Sequence, residues 1–521
     1  MKSLASRVTL QRFWTPIGLS ILAASLAFFF RLPFVFRYDL HFGGDAATCY
    51  LMARRILSGH HTPYFYGQDY YGSLEQYVTA FLFWLFGPSI PLGGLVPLAE
   101  WSVATGLGVY LIASSRSLPA AAVAALVAVI GVPYTLHYAV VPMNGYVPGV
   151  LVPLLLLWIF YRAAASEQPW PWLAMAGGVS GLGWYTSKLI LPGLLALLLV
   201  AAWVVYREKP WAGLLAQRSL YAGGLFLVAF VVGYLPEIIY RAGHAHRSFA
   251  KLADLRSIAL NLLEAVKGSL AYFNAQPMGR IPESIYFFIR PVKALNRHPS
   301  PLDLLFMVLA LMVLTYAWFE LRQFLRGGKN WTLAAMSCLI FINIAAVVLS
   351  AESRASILNA RRYLYPSALV LSFMTGLLLY EGMRAKRFRV AAIALLVAFV
   401  GTNLVHTYRL LGEPDQLREV RWIIQDLERE DVKYGVAHFG YALLIAALTD
   451  ERVVFGSFDV ERIEEYGQRV GAQPRIAYVA AGKKSPPVSM DYRDHVYALR
   501  REGRRYADHF WALYEKVSAG R

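Results

Sequence analysis

The chain has 521 residues, 57% of them hydrophobic and 16% charged, with a mean hydropathy of +0.44. Soluble proteins carry about 25% charged residues, so this composition excludes an ordinary soluble domain and points to a membrane protein. The 50 Lys and Arg against 33 Asp and Glu leave +17. In short loops between apolar runs such cations orient a chain in the bilayer, and no nucleic-acid partner is expected.

In chain order, Lys2, Arg7 and Arg12 precede an apolar run from Trp14 to Phe30, followed by bulky FFFRLPFVFR with no small-residue cleavage site. This predicts a retained first membrane helix, not a signal peptide. A bilayer core takes about 20 apolar residues per helix. By that rule spans fall near 14–33, 91–113, 117–133, 146–162, 171–187, 189–206, 219–239, 302–321, 331–350, 363–381 and 390–408, about eleven in all. The runs are nearly free of ionisable residues.

The short loops at Arg116, Arg162, Arg207–Arg218, Arg322–Lys329 and Arg384–Arg389 are basic and fall on one side with the N-terminus, which makes that side cytoplasmic. The segments 34–90, 134–145, 240–301 and 351–362 then face outward, and an odd span count puts the C-terminal region outside as well. The outer segments nevertheless hold Arg54, Arg55, Lys188, Arg241, Arg361 and Arg362. Cations on that side suggest an anionic ligand. Within 240–301, Leu252, Leu255, Ile258, Leu262 and Val266 recur at helical spacing, predicting a helix lying on the membrane or over the site.

The apolar character ends near residue 410, dividing the chain into a membrane domain, 1–410, and an outer domain, 411–521. There REVRWIIQDLERE reads as an amphipathic helix, and KYGVAHF, RVVFGSF and PRIAYVAAG as strands separated by helices at GYALLIAALTD and VERIEEYGQRV. That alternation predicts a small α/β unit with a parallel sheet. Gly435 and Gly440 make no phosphate loop, because no Gly-Lys-Ser/Thr follows. The tail MDYRDHVYALRREGRRYADHFWALYEKV reads as a basic helix. Cys49 and Cys338 are too few for a disulfide framework and are expected to be free.

The first outer segment, 34–90, concentrates the chemistry. Gly43-Gly44 gives a turn, and Asp45 then opens AATCYLMARRILSG, a helix ended at Gly59. Asp is a favoured N-cap, and the positive helix end favours its ionised form, the form a proton acceptor needs. Arg54 and Arg55 sit in the last turn, where they suit the helix dipole or reach a phosphate. His60 and His61 lack a third ligand at metal spacing; no metal and no cofactor is evident. Gln68, Asp69, Tyr70 and Tyr71 form a polar aromatic stretch. Ser73 and Gln76 make a capping-box pattern opening a helix from Leu74 to Phe86, with Glu75 in its first turn.

An Asp in the first outer loop, a short helix, a Pro-Tyr turn and a polar motif opening a helix that ends Leu-Phe-Gly resemble the GT-C superfamily of glycosyltransferases. Within it the family-39-like branch is the most similar: protein O-mannosyltransferases, lipid A aminoarabinose transferases and bacterial lipopolysaccharide galacturonosyltransferases. The first loop of about fifty residues carries most of the match. NARRYLYPS at 359–367, with Arg362-Tyr363 before Pro366, and GLGWYTSKLILP at 181–192 also look similar. The resemblance implies a polytopic α-helical GT-C-like membrane domain in a bacterial inner membrane. It also implies a polyprenyl-phosphate-linked sugar donor and inverting transfer to a lipid, glycan or protein hydroxyl on the outer face. It makes Asp45 the acceptor's base or orienting group. Lys188, Arg361, Arg362 and Arg55 are then candidates for the leaving phosphate, and Asp69, Gln68, Glu75 and Tyr71 for substrate contacts. Asn144 and Tyr146 in VPMNGYVP are weaker candidates. The chain departs from the mannosyltransferase pattern at Asp45-Ala46, where those enzymes have Asp-Glu, and at Tyr71-Gly72-Ser73, where they have Lys-Pro-Pro. Two other classes remain. A transporter or lipid flippase requires ionisable groups buried mid-span; a non-catalytic scaffold would place the function in the C-terminal domain.

Overall fold

The computed structural model describes residues 15–143, 145–208, 217–242, 301–349, 364–481, 486–493, 495–506 and 509–517. Arg361, Arg362, Asn144 and the helix expected within 240–301 lie outside the described residues.

Each apolar segment forms a helix. They are α1 (Pro16–Phe36), α4 (Ile90–Ser115), α5 (Leu118–Ile130), α7 (Pro148–Ala164), α8 (Trp170–Thr186), α9 (Leu191–Glu208), α10 (Gln217–Ala242), α11 (Pro301–Leu325), α12 (Trp331–Leu349), α13 (Ala368–Arg384) and α14 (Arg389–Leu411). Among the described residues, 8 helices are long and apolar enough to cross a membrane. The other three, α5, α7 and α8, have 13, 17 and 17 residues, short of a full span.

The ionisable residues inside these runs have structural partners. Arg31 of α1 is fully buried and donates to the carbonyls of Val129 at 2.7 Å and Ala128 at 3.4 Å. It thereby caps the end of short α5, whose last carbonyls have no partner within the helix. Glu320 of α11 pairs with Arg116 beyond α4. Small residues set the approach of α8 to α10. A Cβ on Gly181 would stand 2.0 Å from the Phe230 carbonyl oxygen, and one on Gly233 2.4 Å from that of Gly178. Such close backbone packing is how membrane helices associate without large side chains between them. It brings the turn after α8, with Lys188, into contact with Glu237 of α10.

Between α1 and α4 the first outer segment folds into α2 (Gly44–Leu57), the hairpin β1 (Tyr64–Phe65) and β2 (Gln68–Gly72), and α3 (Leu74–Phe86). α6 (Pro133–Val140) lies between α5 and α7.

The C-terminal part contains α15 (Arg418–Arg429), β3 (Tyr434–Ala437), α16 (Phe439–Leu448), β4 (Val454–Ser457), α17 (Glu464–Gly471), β5 (Arg475–Ala481), β6 (Ser489–Tyr492), β7 (His495–Tyr506) and β8 (His509–Lys516). The six-stranded sheet has the order β4-β3-β5-β8-β7-β6. β4, β3 and β5 run parallel, as the alternating pattern predicts, and the remaining pairs are antiparallel.

The basic helix expected for the tail is not formed; that stretch is β6, β7 and β8. Helix propensity in ALRREGRRYA loses to the open edge of β5, which β8 covers in register from Arg475 opposite Glu515 to Ala481 opposite His509. As an inner strand β8 is buried throughout its HFWALY run, so it reads as a continuous apolar stretch without alternation.

The two parts share a core. Phe34 and Val35 of α1, Ala46, Tyr50 and Leu51 of the first loop, and Leu443, Ala446 and Phe455 of the C-terminal part belong to one buried cluster. Gly44 meets Gly440 so closely that a Cβ on Gly44 would lie 2.6 Å from the Gly440 Cα.

Candidate active site

Asp45 is not the N-cap of its helix. Gly43 is, and Asp45 stands in the first turn of α2. Gly43 adopts extended φ and ψ of −111° and −167°, which moves the helix start back and leaves the Asp45 side chain available for contacts across the chain. The carboxylate still sits at the positive end of the helix. Its Oδ1 accepts from Arg462 at 3.2 Å.

Arg462 enters from the C-terminal part, in the loop before α17. Its guanidinium lies between the rings of Phe65 and Phe439, 5.5 and 5.4 Å from their centroids. It also donates to the Tyr66 carbonyl at 3.0 Å. With its amide oxygen turned toward the guanidinium, Gln68 accepts from both terminal nitrogens at 3.0 and 3.2 Å. Gly67, between Tyr66 and Gln68, has φ +72°, a turn conformation glycine takes without steric cost. A Cβ there would stand 3.1 Å from Arg462 Cδ.

The same hairpin reaches the second cation site. Tyr71 on β2 bridges to Ser187, the residue before Lys188. Tyr185 packs at 6.0 Å against Tyr64 of β1, and its hydroxyl accepts from the Ser73 amide at 3.3 Å. Lys188 donates to the Trp184 carbonyl at 2.8 Å and to Glu237 at 2.5 Å, and lies over the rings of Trp184 and Tyr234. Glu237, 1% exposed, also pairs with Arg241 at 2.6 Å. Lys188 and Arg241 thus both contact the one Glu237 carboxylate, where α8 and α10 meet. Gln68 at one end of β2 therefore touches the group that holds Asp45, and Tyr71 near the other end touches the turn that carries Lys188. Asp69 lies on β2 between them.

Other expected site residues take different places. Arg55 forms ion pairs with Glu465 and, at 3.7 Å, Glu451 of the C-terminal part. Arg54 pairs with Asp450 at 2.6 Å. Both serve the junction between the two parts, and the donor-phosphate assignment for Arg55 is not carried forward. Ser73 makes no side-chain cap; its hydroxyl donates to the Thr62 carbonyl at 2.5 Å and ties the hairpin closed. Tyr146 is buried in a ring cluster with Tyr138 and Tyr365, at 4.8 and 6.2 Å.

Glu75 is buried in the first turn of α3. Its Oε2 accepts from the Gly145 amide, and the Glu100 carboxyl of α4 is its neighbour. Burial, ahead of any hydrogen bond, pushes the Glu75 carboxyl above the usual range. A folded state that keeps a proton released by the unfolded chain loses stability as pH rises through the interval between the two pKa values. The thermal midpoint is therefore expected to fall as pH rises from the ordinary carboxylate range toward neutrality. Glu75→Gln, which can still accept from Gly145, should reduce that slope. Identical slopes in melts of wild type and variant across this range would show that Glu75 does not hold the proton.

Sequence reading missed Arg462, Glu237, Arg241's pairing role and Glu100. Arg462 is 417 residues from Asp45, and nothing in VERIEEYG marks it. Glu100 and Glu237 carried a signal: a carboxylate inside an apolar run requires a partner.

No protein-family model and no curated protein matches the sequence. Among solved structures, the apo oligosaccharyltransferase of Archaeoglobus fulgidus aligns over 91% of this chain and 70% of its own, with a TM-score of 0.53 and 12% identity. ArnT of Cupriavidus metallidurans bound to undecaprenyl phosphate aligns over 95% of this chain and 97% of its own, with a TM-score of 0.44 and 14% identity. The likeness to the oligosaccharyltransferase is one of fold: a mostly helical chain with a C-terminal sheet part.

Proposed function

We propose that this chain is an inverting glycosyltransferase that moves a sugar from a polyprenyl-phosphate donor to an acceptor hydroxyl on the outer face of the membrane. The observation that carries the reading is the β1–β2 hairpin, which links a carboxylate at a helix start, Asp45, to a cation cluster at two helix ends, Lys188 with Arg241 around Glu237. Glycosyl transfer needs a proton acceptor and a stabiliser of the leaving phosphate, held on one support.

In this reading the acceptor hydroxyl gives its proton to the Asp45 carboxylate as its oxygen bonds to the anomeric carbon. The bond from that carbon to the phosphate oxygen breaks. The electron pair leaves on polyprenyl phosphate, whose new charge is met by Lys188. Attack opposite the leaving group inverts the anomeric centre. Gln68 and Tyr71 on β2 are then the candidates for sugar contacts, with Asp69 a candidate on the sequence pattern alone. Arg361 and Arg362 remain candidates for the phosphate on the sequence pattern alone.

A small apolar crevice lies between α7, α9, α12 and α13, lined by Pro153, Leu157, Leu197, Leu339, Pro366 and Val370. One wall, α9, begins directly after the Lys188 turn. In this reading the N-terminus is cytoplasmic and the domain after residue 411 lies outside, as the basic short loops of the sequence suggest. The test is binding to the purified, reconstituted protein of polyprenyl phosphate against the matching polyprenol. The phosphate is expected to bind and to raise the thermal midpoint, and the polyprenol to do so weakly. Equal effects of the two would remove the phosphate site.

A further inference from the structure

We infer that Arg462 is a positioning residue for the Asp45 carboxylate, so that the C-terminal domain completes the catalytic site and is not an appendage to it. The inference rests on the reading of Asp45 as proton acceptor and adds the group that aims it.

The geometry is specific to an arginine. One planar guanidinium meets the Asp45 carboxylate, the Tyr66 carbonyl and the Gln68 amide oxygen, three acceptors fixed in direction relative to one another. The fork of N–H donors satisfies such a set; a lysine ammonium, a point charge on a flexible stem, does not. The Phe65 and Phe439 rings lie 5.5 and 5.4 Å from the guanidinium carbon. The side chain is only 7% exposed, which makes each of these contacts stronger than it would be in water.

Arg462 Nε is buried with no hydrogen-bond partner. A buried N–H left unmet is a cost, and filling the gap between two phenyl rings does not demand it. An aliphatic side chain would pack there and leave no orphan donor. What the arginine adds is direction and charge at Asp45 and at the hairpin. With Arg462 in place, the Asp45 carboxylate and the Gln68 end of β2 are held by one group, so the proton acceptor and β2 keep their spacing. A displacement of about 1 Å in such a set costs on the order of 10²-fold in rate.

The position also explains why the junction is close-packed. Gly44 against Gly440 brings the start of α2 onto α16, and Phe439, the residue before Gly440, is one of the two rings over Arg462. The pairs Arg54–Asp450 and Arg55–Glu465 fasten the other end of α2 to the same domain. Asp45 is thus aimed by a domain that is clamped at both ends of its helix.

The test is a double-mutant cycle on the full-length protein, read as release of polyprenyl phosphate from a labelled polyprenyl-phosphate sugar with total membrane extract supplying acceptors. Arg462→Gln should lower kcat by about 10²-fold with little change in KM for the donor. Arg462→Lys should recover part of that loss. In an Asp45→Asn background, Arg462→Gln should cost little further, because residues that act as a unit are strongly non-additive. Thermal melts report whether each variant is folded; if Arg462→Gln is not, the cycle is run with Arg462→Lys. Equal losses from the arginine change in both backgrounds would overturn the inference and leave Asp45 as acceptor. Near-normal turnover of Asp45→Asn alone would overturn the acceptor reading and the inference with it.

Discussion

Asp45→Asn is expected to lower transfer by roughly 10²–10⁴, the usual contribution of a general base, while the thermal midpoint hardly moves. The substitution is isosteric. The residue is in the first turn of α2, with Gly43 as the N-cap, so no cap is lost. An amide oxygen in place of Oδ1 can still accept from Arg462, which lies 3.2 Å away. What disappears is the charge and the ability to take a proton. Asp45→Ala is less informative, because it also leaves the buried Arg462 without its carboxylate, and loss of a partner to a buried charge destabilises by itself. Transfer close to wild type in the Asn variant, with an unchanged melt, would make Asp45 a structural partner of Arg462 and end its role as acceptor.

Lys188→Met should have the next largest effect. The variant keeps the length of the side chain and its contact with Trp184 and Tyr234 but removes the cation. Glu237 retains Arg241 at 2.6 Å, so the buried carboxylate is not orphaned and the junction of α8 with α10 should survive. Removing one fixed electrostatic stabiliser of a leaving oxyanion typically costs 10²–10³ in kcat, about 3–4 kcal/mol. Binding of polyprenyl phosphate should weaken alongside, and Lys188→Arg should restore a part of both. If Lys188→Met folds, binds polyprenyl phosphate as wild type does and turns over normally, Lys188 only anchors Glu237, and the leaving-group site has to be sought elsewhere.

The membrane fold was legible because hydrocarbon solvent imposes one rule. A run of apolar residues must satisfy its backbone internally, and each of the eleven runs is a helix. The length of a run was a poorer guide to crossing. α5 stops after 13 residues at Gly131, whose φ is +62°, ahead of Pro133, and Arg31 of α1 satisfies carbonyls of its last turn. The parallel half of the C-terminal sheet was legible from alternating strands and helices. The antiparallel half was not, because the Ala, Leu and Arg of the tail favour a helix locally, and only the uncovered edge of β5 decides against it.

For the proposed site, the sequence singled out the first loop by its charge and turn residues. It misplaced Ser73 and Arg55, since a capping-box pattern and a helix-end arginine look the same whether their side chains turn back to the helix or outward to the Thr62 carbonyl and to Glu465. Arg462, Glu100 and Glu237 depend on tertiary packing. Arg462 meets Asp45 417 positions away and Glu237 meets Lys188 49 positions away; only the Glu237–Arg241 pair, at i,i+4, lies within local spacing.

The measurement that bears most directly on the central claim is consumption of a lipid-linked donor. Purified full-length protein in vesicles is supplied with labelled sugars on polyprenyl phosphate and with total membrane extract, and free polyprenyl phosphate is followed with time. The account predicts release from at least one donor, dependent on protein, transfer of the label to an acceptor with inverted anomeric configuration, and loss of both in Asp45→Asn. Release that persists undiminished in Asp45→Asn, or movement of intact labelled donor across the bilayer with no release, would contradict it.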